Sequence, residues 1–128
     1  MLLLASALTL AGDGLAVEAT FPICGDGRRV TCVVDGDTFW HNRIKYRLAD
    51  IDAPEVSNPK CEAEAKLGRS ATYRLAAQLN AGRFELQEQG TDRYGRTLAT
   101  VTRGGRSIGR QLVSEGLARR WGDRRGWC

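Results

Sequence analysis

The stretch Ile44-Lys-Tyr-Arg-Leu-Ala-Asp-Ile-Asp-Ala-Pro-Glu55 decides how the chain is read. Ile44, Tyr46 and Leu48 alternate with Lys45 and Arg47, the period of a half-buried strand. The strand leaves at Pro54, whose ring fixes its own φ and holds Ala53 extended. Asp50, Asp52 and Glu55 crowd that exit, with Arg47 just upstream. Carboxylates this close repel one another, so a positive partner is expected among them: a metal ion, an arginine, or both. Strict alternation puts Arg47 and Asp52 on opposite faces, so the strand must twist or break before Asp52 if both serve one site.

Upstream, Arg29-Val-Thr-Cys-Val-Val34 has β-branched strand character, and Asp35-Gly36 signals a tight hairpin turn. Thr38 to His41 returns as a second strand and Ile44 to Ala49 makes a third, giving a meander. Downstream the period changes. Leu67, Ala71, Leu75 and Leu79 fall four apart with Ala65, Thr72 and Ala76 alongside, which predicts one helix over 61–80. Gly82 suits its end. Arg83 to Glu88 alternates as a fourth strand and Thr97 to Val101 as a fifth. Ile108, Leu112 and Val113 predict a short helix that stops at Gly116. Five short strands with a helix between the third and fourth predict an α+β, mainly β fold: a five-stranded OB-type barrel with a central helix and a short C-terminal helix.

A length of 128 residues, 27% charged and 42% hydrophobic, fits one globular domain with a core of its own. Residues 1–11 form an apolar block too short to span a membrane, and Ala16-Val-Glu-Ala19 offers a small-residue cleavage site. Residues 1–19 therefore read as an export leader, although no Lys or Arg precedes the apolar block. The alternative is a buried N-terminal helix or strand. Residues 20–28 follow as an N-terminal segment and 29–128 as the domain. Losing Asp13 and Glu18 with the leader would raise the formal charge from +4 to +6, which favours polyanionic partners. Localisation is expected to be exported, periplasmic or secreted from a bacterium, with no membrane span in the mature chain and a monomeric state.

Four cysteines behind a leader favour disulfides. Zinc competes, but the chain has no C-x-x-C pair and a single histidine, His41. Of three possible pairings, Cys24–Cys32 makes a short local loop, and Cys61–Cys128 pins the last residue to the central helix. His41 reads as a strand residue, and one histidine excludes a paired-histidine mechanism.

Strands two and three of a meander are neighbours, so Asp37 and Asp52 are expected at adjacent points on one side of the sheet. Two hard oxygen anions, the backbone carbonyl of Ala53 and waters describe a weak Ca2+ site. Thr91-Asp-Arg-Tyr-Gly-Arg96 combines guanidinium groups with an aromatic ring on a tight loop, an arrangement that grips a phosphate and stacks a base. Arg47 and Arg96 are then placed to clamp a phosphodiester, whose transition state gathers negative charge, and Glu55 is left to activate water.

Four ordered motifs, Val33-Val-Asp-Gly-Asp-Thr38, Arg47 to Glu55, Asp92-Arg-Tyr-Gly-Arg-Thr-Leu-Ala99 and Leu112-Val-Ser-Glu-Gly-Leu-Ala118, resemble the staphylococcal nuclease (thermonuclease) family over about residues 29–121. The resemblance implies an OB-fold barrel and Ca2+-dependent hydrolysis of DNA and RNA with little sequence preference, leaving 3′-phosphate ends. It implies Asp37 and Asp52 as side-chain metal ligands, Ala53 as a carbonyl ligand, and Glu55 as the catalytic carboxylate. Arg47 and Arg96 resemble the family's phosphate-binding arginines. Arg93 and Tyr94 fall where the family contacts the nucleotide, and Asp35 where it has a turn residue supporting the ligands.

The chain also departs from the pattern. Ala53 replaces a threonine. Asp50 adds an acid that alternation puts with Leu48 and Asp52, either strengthening the metal field or reaching solvent. The sequence stops at Cys128, before the family's long C-terminal helix, and Gly122 lies where nucleotide-binding tyrosines are expected. Trp121, Trp127 and the neighbouring arginines offer substitute stacking and charge. The competing function is a non-catalytic OB-fold nucleic-acid binder. The complete set Arg47, Asp37, Asp52, Glu55 and Arg96 favours the enzyme, since a binder has little need of all five. A cell-envelope protein acting on another anionic polymer has only composition behind it.

Overall fold

The computed structural model describes residues 14–128. In chain order the elements are β1 (Leu15–Val17), β2 (Cys32–Asp35), β3 (Thr38–His41), β4 (Ile44–Leu48), β5 (Ile51–Asp52), α1 (Glu62–Asn80), β6 (Phe84–Thr91), β7 (Thr97–Arg103), β8 (Arg106–Ser107), α2 (Ile108–Ser114) and β9 (Arg119–Arg120). The main sheet runs β1-β6-β7-β4-β3-β2, with β8 added on β7, and curls into a half-barrel. β5 and β9 form a separate two-stranded sheet. All pairings between these strands are antiparallel except β4 with β7. That parallel register sets Arg47 beside Leu98. The fold class is the one the sequence predicts, with four shorter strands added to the five expected.

The barrel interior is apolar and aromatic. Phe39 stacks on Tyr46 at 5.4 Å between ring centroids, and Phe21 meets Phe39 edge-on at 5.8 Å and Phe84 at 5.7 Å. Leu75 and Leu79 from α1, Leu112 from α2, and Leu48, Leu86 and Val101 from the strands complete it, all essentially inaccessible to solvent. Each such side chain contributes about 1.5–3 kcal/mol by leaving water.

β1 lies inside the range the sequence reading gives to an export leader. It pairs with β6 through Leu15–Leu86, Ala16–Glu85 and Val17–Phe84, and Val17 is buried in the core. Cleavage after Ala19 would therefore strip an edge strand and a core side chain from the fold. The apolar block 1–11 lies outside the described residues.

Two glycines set how closely α1 approaches the strand turns. Gly36 carries no positive φ, so left-handed backbone is not what the β2–β3 turn asks of it. A Cβ there would stand 2.7 Å from the Cβ of Ala71 on α1 and 2.9 Å from that of Ala53. A Cβ on Gly68 would stand 2.9 Å from the carbonyl oxygen of Glu55 and 3.0 Å from that of Pro54. Helix α1 thus lies directly beneath the exit loop. Left-handed backbone falls instead on the β3–β4 hairpin, where Asn42 and Arg43 take φ of 49° and 69°. That two-residue loop, closed by the His41–Ile44 pair, matches the twist of its strands only with both φ values positive.

Cys24 is bonded to Cys32, tying the N-terminal segment to β2, and Cys61 to Cys128. Cys61 is also the N-cap of α1, its sulfur accepting from the Glu64 N–H.

Candidate active site

The site is built where β4 breaks. β4 ends at Leu48 and the chain resumes as β5 in the other sheet, so period-two alternation is lost across Ala49 and Asp50. The break brings Arg47 and Asp52 to one side, their Nη2 and Oδ1 atoms 3.0 Å apart. Asp37, nearly buried on the β2–β3 turn, reaches the same place. Its Oδ2 accepts the Ala53 N–H at 2.9 Å and lies 3.4 Å from Nη2 of Arg47, while its Oδ1 accepts from the Thr38 hydroxyl. One carboxylate thereby joins the turn to the exit loop. Asp35 supports it from behind, accepting the Asp37 N–H at 3.1 Å.

Arg47 is the positive partner the acid cluster requires. Its side chain is buried, Nη1 donating to the carbonyls of Leu48 and Ile51 and Nη2 to Asp52. The ring of Trp121 lies 5.4 Å from the guanidinium carbon. One guanidinium does not offset four neighbouring acids. Burial, and then the charge of Asp37, push the carboxyls of Asp35 and Asp52 above the usual range. Glu55 is raised by burial and then by Asp37 and Asp52. Among the described residues the Glu55 carboxylate has no hydrogen-bond or ion-pair partner, so it is free to engage a water or a ligand.

A cleft of about 460 Å³ is lined by Asp37, Arg47, Asp52, Glu55 and Arg96, and by Asp35. Arg96 comes from the β6–β7 loop, which Asp92 organises by accepting from the N–H groups of Tyr94 and Arg96 and from Nε of Arg96 at 2.7 Å. Gly95 closes that turn with a φ of 78°. The loop lifts Tyr94 into solvent, with Arg93 and Arg96 against its ring at 5.0 and 5.4 Å. A second cleft, about 510 Å³, adjoins the first through Arg47 and Arg96, and Tyr94 and Trp121 also line it. It therefore pairs guanidinium groups with exposed aromatic faces.

A family model described as staphylococcal nuclease homologue matches residues 45–125, more than half of the chain. The chain belongs to the staphylococcal nuclease family. It is 32% identical over 114 residues to the thermonuclease of Staphylococcus intermedius, covering 84% of this chain and 67% of that protein. It is 37% identical over 93 residues to an uncharacterized endonuclease of Haemophilus influenzae, covering 73% and 46%, and 36% identical over 101 residues to a micrococcal nuclease of Shigella flexneri, covering 75% and 54%. The chain thus spans two thirds of the first relative and about half of the other two.

Set on the nuclease-family frame, the residues singled out from sequence divide by position. Asp37, Arg47, Asp52, Ala53, Glu55 and Arg96 surround the exit loop, and Arg93 and Tyr94 flank the neighbouring cleft. Asp50 does neither of the things alternation allows. It turns away from the other acids, accepts a hydrogen bond from the Ser107 hydroxyl, and its Oδ1 is buried. His41 packs at 5.8 Å from the Phe21 ring, and burial lowers its pKa. Trp121, whose place the sequence did not reveal, lines the second cleft and also a third cleft reaching Asp52 and Glu55. Glu64 went unnoticed because it interrupts the apolar face of α1. It is buried, accepts the Lys60 N–H at 2.6 Å and lines that third cleft.

Proposed function

We propose that this protein is a Ca2+-dependent endonuclease that hydrolyses phosphodiester bonds of DNA and RNA with little sequence preference. The observation that carries the reading is the convergence of Asp37, Arg47, Asp52, Glu55 and Arg96 on one cleft, beside a second cleft that joins arginines to Tyr94 and Trp121. Family membership and the nuclease names of the relatives point the same way.

The donor chemistry fits a hard divalent cation. Asp37 and Asp52 offer carboxylate oxygens and Ala53 a carbonyl, and the carboxyls of Asp35, Asp52 and Glu55 are raised first by burial and then by their acidic neighbours, a crowding that a bound cation would relieve. When bound, the ion supplies positive charge beside the phosphate. Arg47 and Arg96 hold phosphoryl oxygens, Arg47 exchanging part of its contact with Asp52 for the substrate. Glu55 takes the proton of the attacking water as oxygen bonds to phosphorus. The bond from phosphorus to the 5′ oxygen breaks and that oxygen takes a proton from solvent, leaving a 3′-phosphate on one fragment and a 5′-hydroxyl on the other. Tyr94 and Trp121 flank the base, with Arg93 at the rim.

Two disulfides support an exported, periplasmic or secreted location, where such bonds persist. Among the described residues, none of the helices is long and apolar enough to cross a membrane. The test is digestion of plasmid DNA and of RNA by the oxidised protein with Ca2+, with Mg2+ and with chelator. Cleavage that needs Ca2+ and stops in EDTA is expected. Undiminished cleavage in EDTA would overturn the metal role, and binding without cleavage under every condition would leave a nucleic-acid binder instead.

A further inference from the structure

The bend between β4 and β5 has to be held, because Arg47 lies before it and Asp52 after it. Backbone bonds account for part of this: the Ala49 N–H donates to Ala99 on β7, and the Trp121 N–H to the carbonyl of Asp50 at 3.1 Å. Arg47 adds donations to the Ile51 carbonyl and to Asp52, and the Asp50 side chain ties the bend to α2. Its Oδ2 accepts from the hydroxyl of Ser107, the N-cap of α2, and that same hydroxyl accepts the Arg110 N–H at 3.1 Å. Its Oδ1 is buried 2.7 Å from where a Cβ on Gly109 would sit, so the notch exists because position 109 carries no side chain. α2 is itself anchored in the core by Ile108 and Leu112.

We propose that Asp50 is a positioning residue for the reaction: seated on the first turn of α2, it holds the bend that brings Arg47 and Asp52 to one cleft and keeps Trp121 against Arg47. The catalytic part of this inference rests on the nuclease reading; the mechanical part does not. Losing the tie lets the bend shift while the core stays packed, and a misplacement of about 1 Å costs on the order of 100-fold in rate. Binding draws on the Tyr94 loop and on Trp121, whose segment stays fixed at both ends by the β5–β9 pair and the Cys61–Cys128 bridge, so the defect falls on kcat more than on KM.

The test compares Asp50→Ala, Asp50→Asn and Gly109→Ala in the intact oxidised chain, well below each variant's melting temperature. Two quantities are read: kcat and KM on a single-stranded DNA oligonucleotide, and hydrogen exchange at the Trp121 amide. Asp50→Ala is expected to lower kcat by about 10- to 100-fold with KM within about threefold, and to speed Trp121 exchange about tenfold or more. Asp50→Asn keeps an acceptor for Ser107 and is expected within about threefold of wild type on both readouts. Gly109→Ala displaces the carboxylate and is expected to follow Asp50→Ala.

If Asn is as defective as Ala, charge and not placement is at work, and the proposal is overturned. Unchanged exchange at Trp121 in Asp50→Ala overturns it as well, as does an unchanged kcat in Asp50→Ala when the wild type cleaves. A wild type that does not cleave refutes the nuclease reading, and the exchange comparison then decides whether Asp50 holds the bend.

Discussion

Glu55 stands beside Asp37, Asp52 and Glu64 with no protein partner for its own carboxylate among the described residues, and burial with the first two acids raises its pKa. A carboxylate in that state gains little by staying ionised except the ability to accept a proton. Glu55→Gln keeps the shape and removes the base, so it should lower kcat by about 10²- to 10⁴-fold while leaving the melting temperature unchanged or higher, since a repelling charge is gone. A variant that retains more than a tenth of wild-type kcat would remove Glu55 from the chemistry. The acids and arginines of the cleft were legible in the sequence because carboxylates at a strand exit demand a counter-charge wherever the chain goes next. Asp50 was not. Counting faces by twos assumes one continuous strand, and β4 ends two residues before Asp50. The position of Trp121 was equally hidden, since it follows from β9 pairing with β5 some seventy residues upstream.

Helix α1 shows the same contrast at the level of elements. Its span was readable from its 3.6-residue period, whereas β1, β5, β8 and β9 are two or three residues long and exist only through their partners. Gly36 was located correctly in a turn, but it serves space and not torsion, a distinction that a sequence does not make. That distinction is measurable through two substitutions of opposite sign. Gly68→Ala in an ordinary helix would stabilise by about 1 kcal/mol. Here the new methyl would meet the carbonyl oxygens of Glu55 and Pro54, backbone atoms that cannot rotate away. The variant should instead lose about 1–2 kcal/mol in urea unfolding and lose activity as the Pro54–Glu55 backbone is pushed off α1. A gain in stability would show that the contact is loose. Arg43→Gly relieves a left-handed arginine at φ 69°. It should raise stability by about 0.5–1 kcal/mol, the strain released less the entropy glycine adds to the unfolded chain. An unchanged or lower melting temperature would mean that Arg43 makes compensating contacts.

Over the whole molecule, the tail after β9 is the part whose order depends on distant chain. From Arg119, paired with Asp52, it folds back on itself, the Arg119 guanidinium donating to the Gly126 carbonyl at 2.7 Å and stacking 4.1 Å from the Trp127 ring. It ends at Cys128, bonded to Cys61 at the start of α1. The tail therefore spans the third cleft between two fixed ends, the β5–β9 pair and the disulfide, and carries Trp121 between the second and third clefts. The two disulfides should differ in what they contribute. Cys24 and Cys32 are separated by 8 residues and Cys61 and Cys128 by 67, so chain-entropy arguments give about 2.5 kcal/mol for the first and about 4.5 kcal/mol for the second. Replacing Cys61 and Cys128 together with serine should therefore lower the melting temperature further than replacing Cys24 and Cys32. It should also raise KM for an oligonucleotide several-fold, because Trp121 loses one of the two ends that hold its segment. The Cys24/Cys32 variant should keep its KM, since that bridge lies on the N-terminal side of β2, away from the tail. Equal KM values for both variants would mean that the β5–β9 pairing and the Trp121–Asp50 backbone bond alone hold the aromatic wall, and that the second disulfide serves stability only.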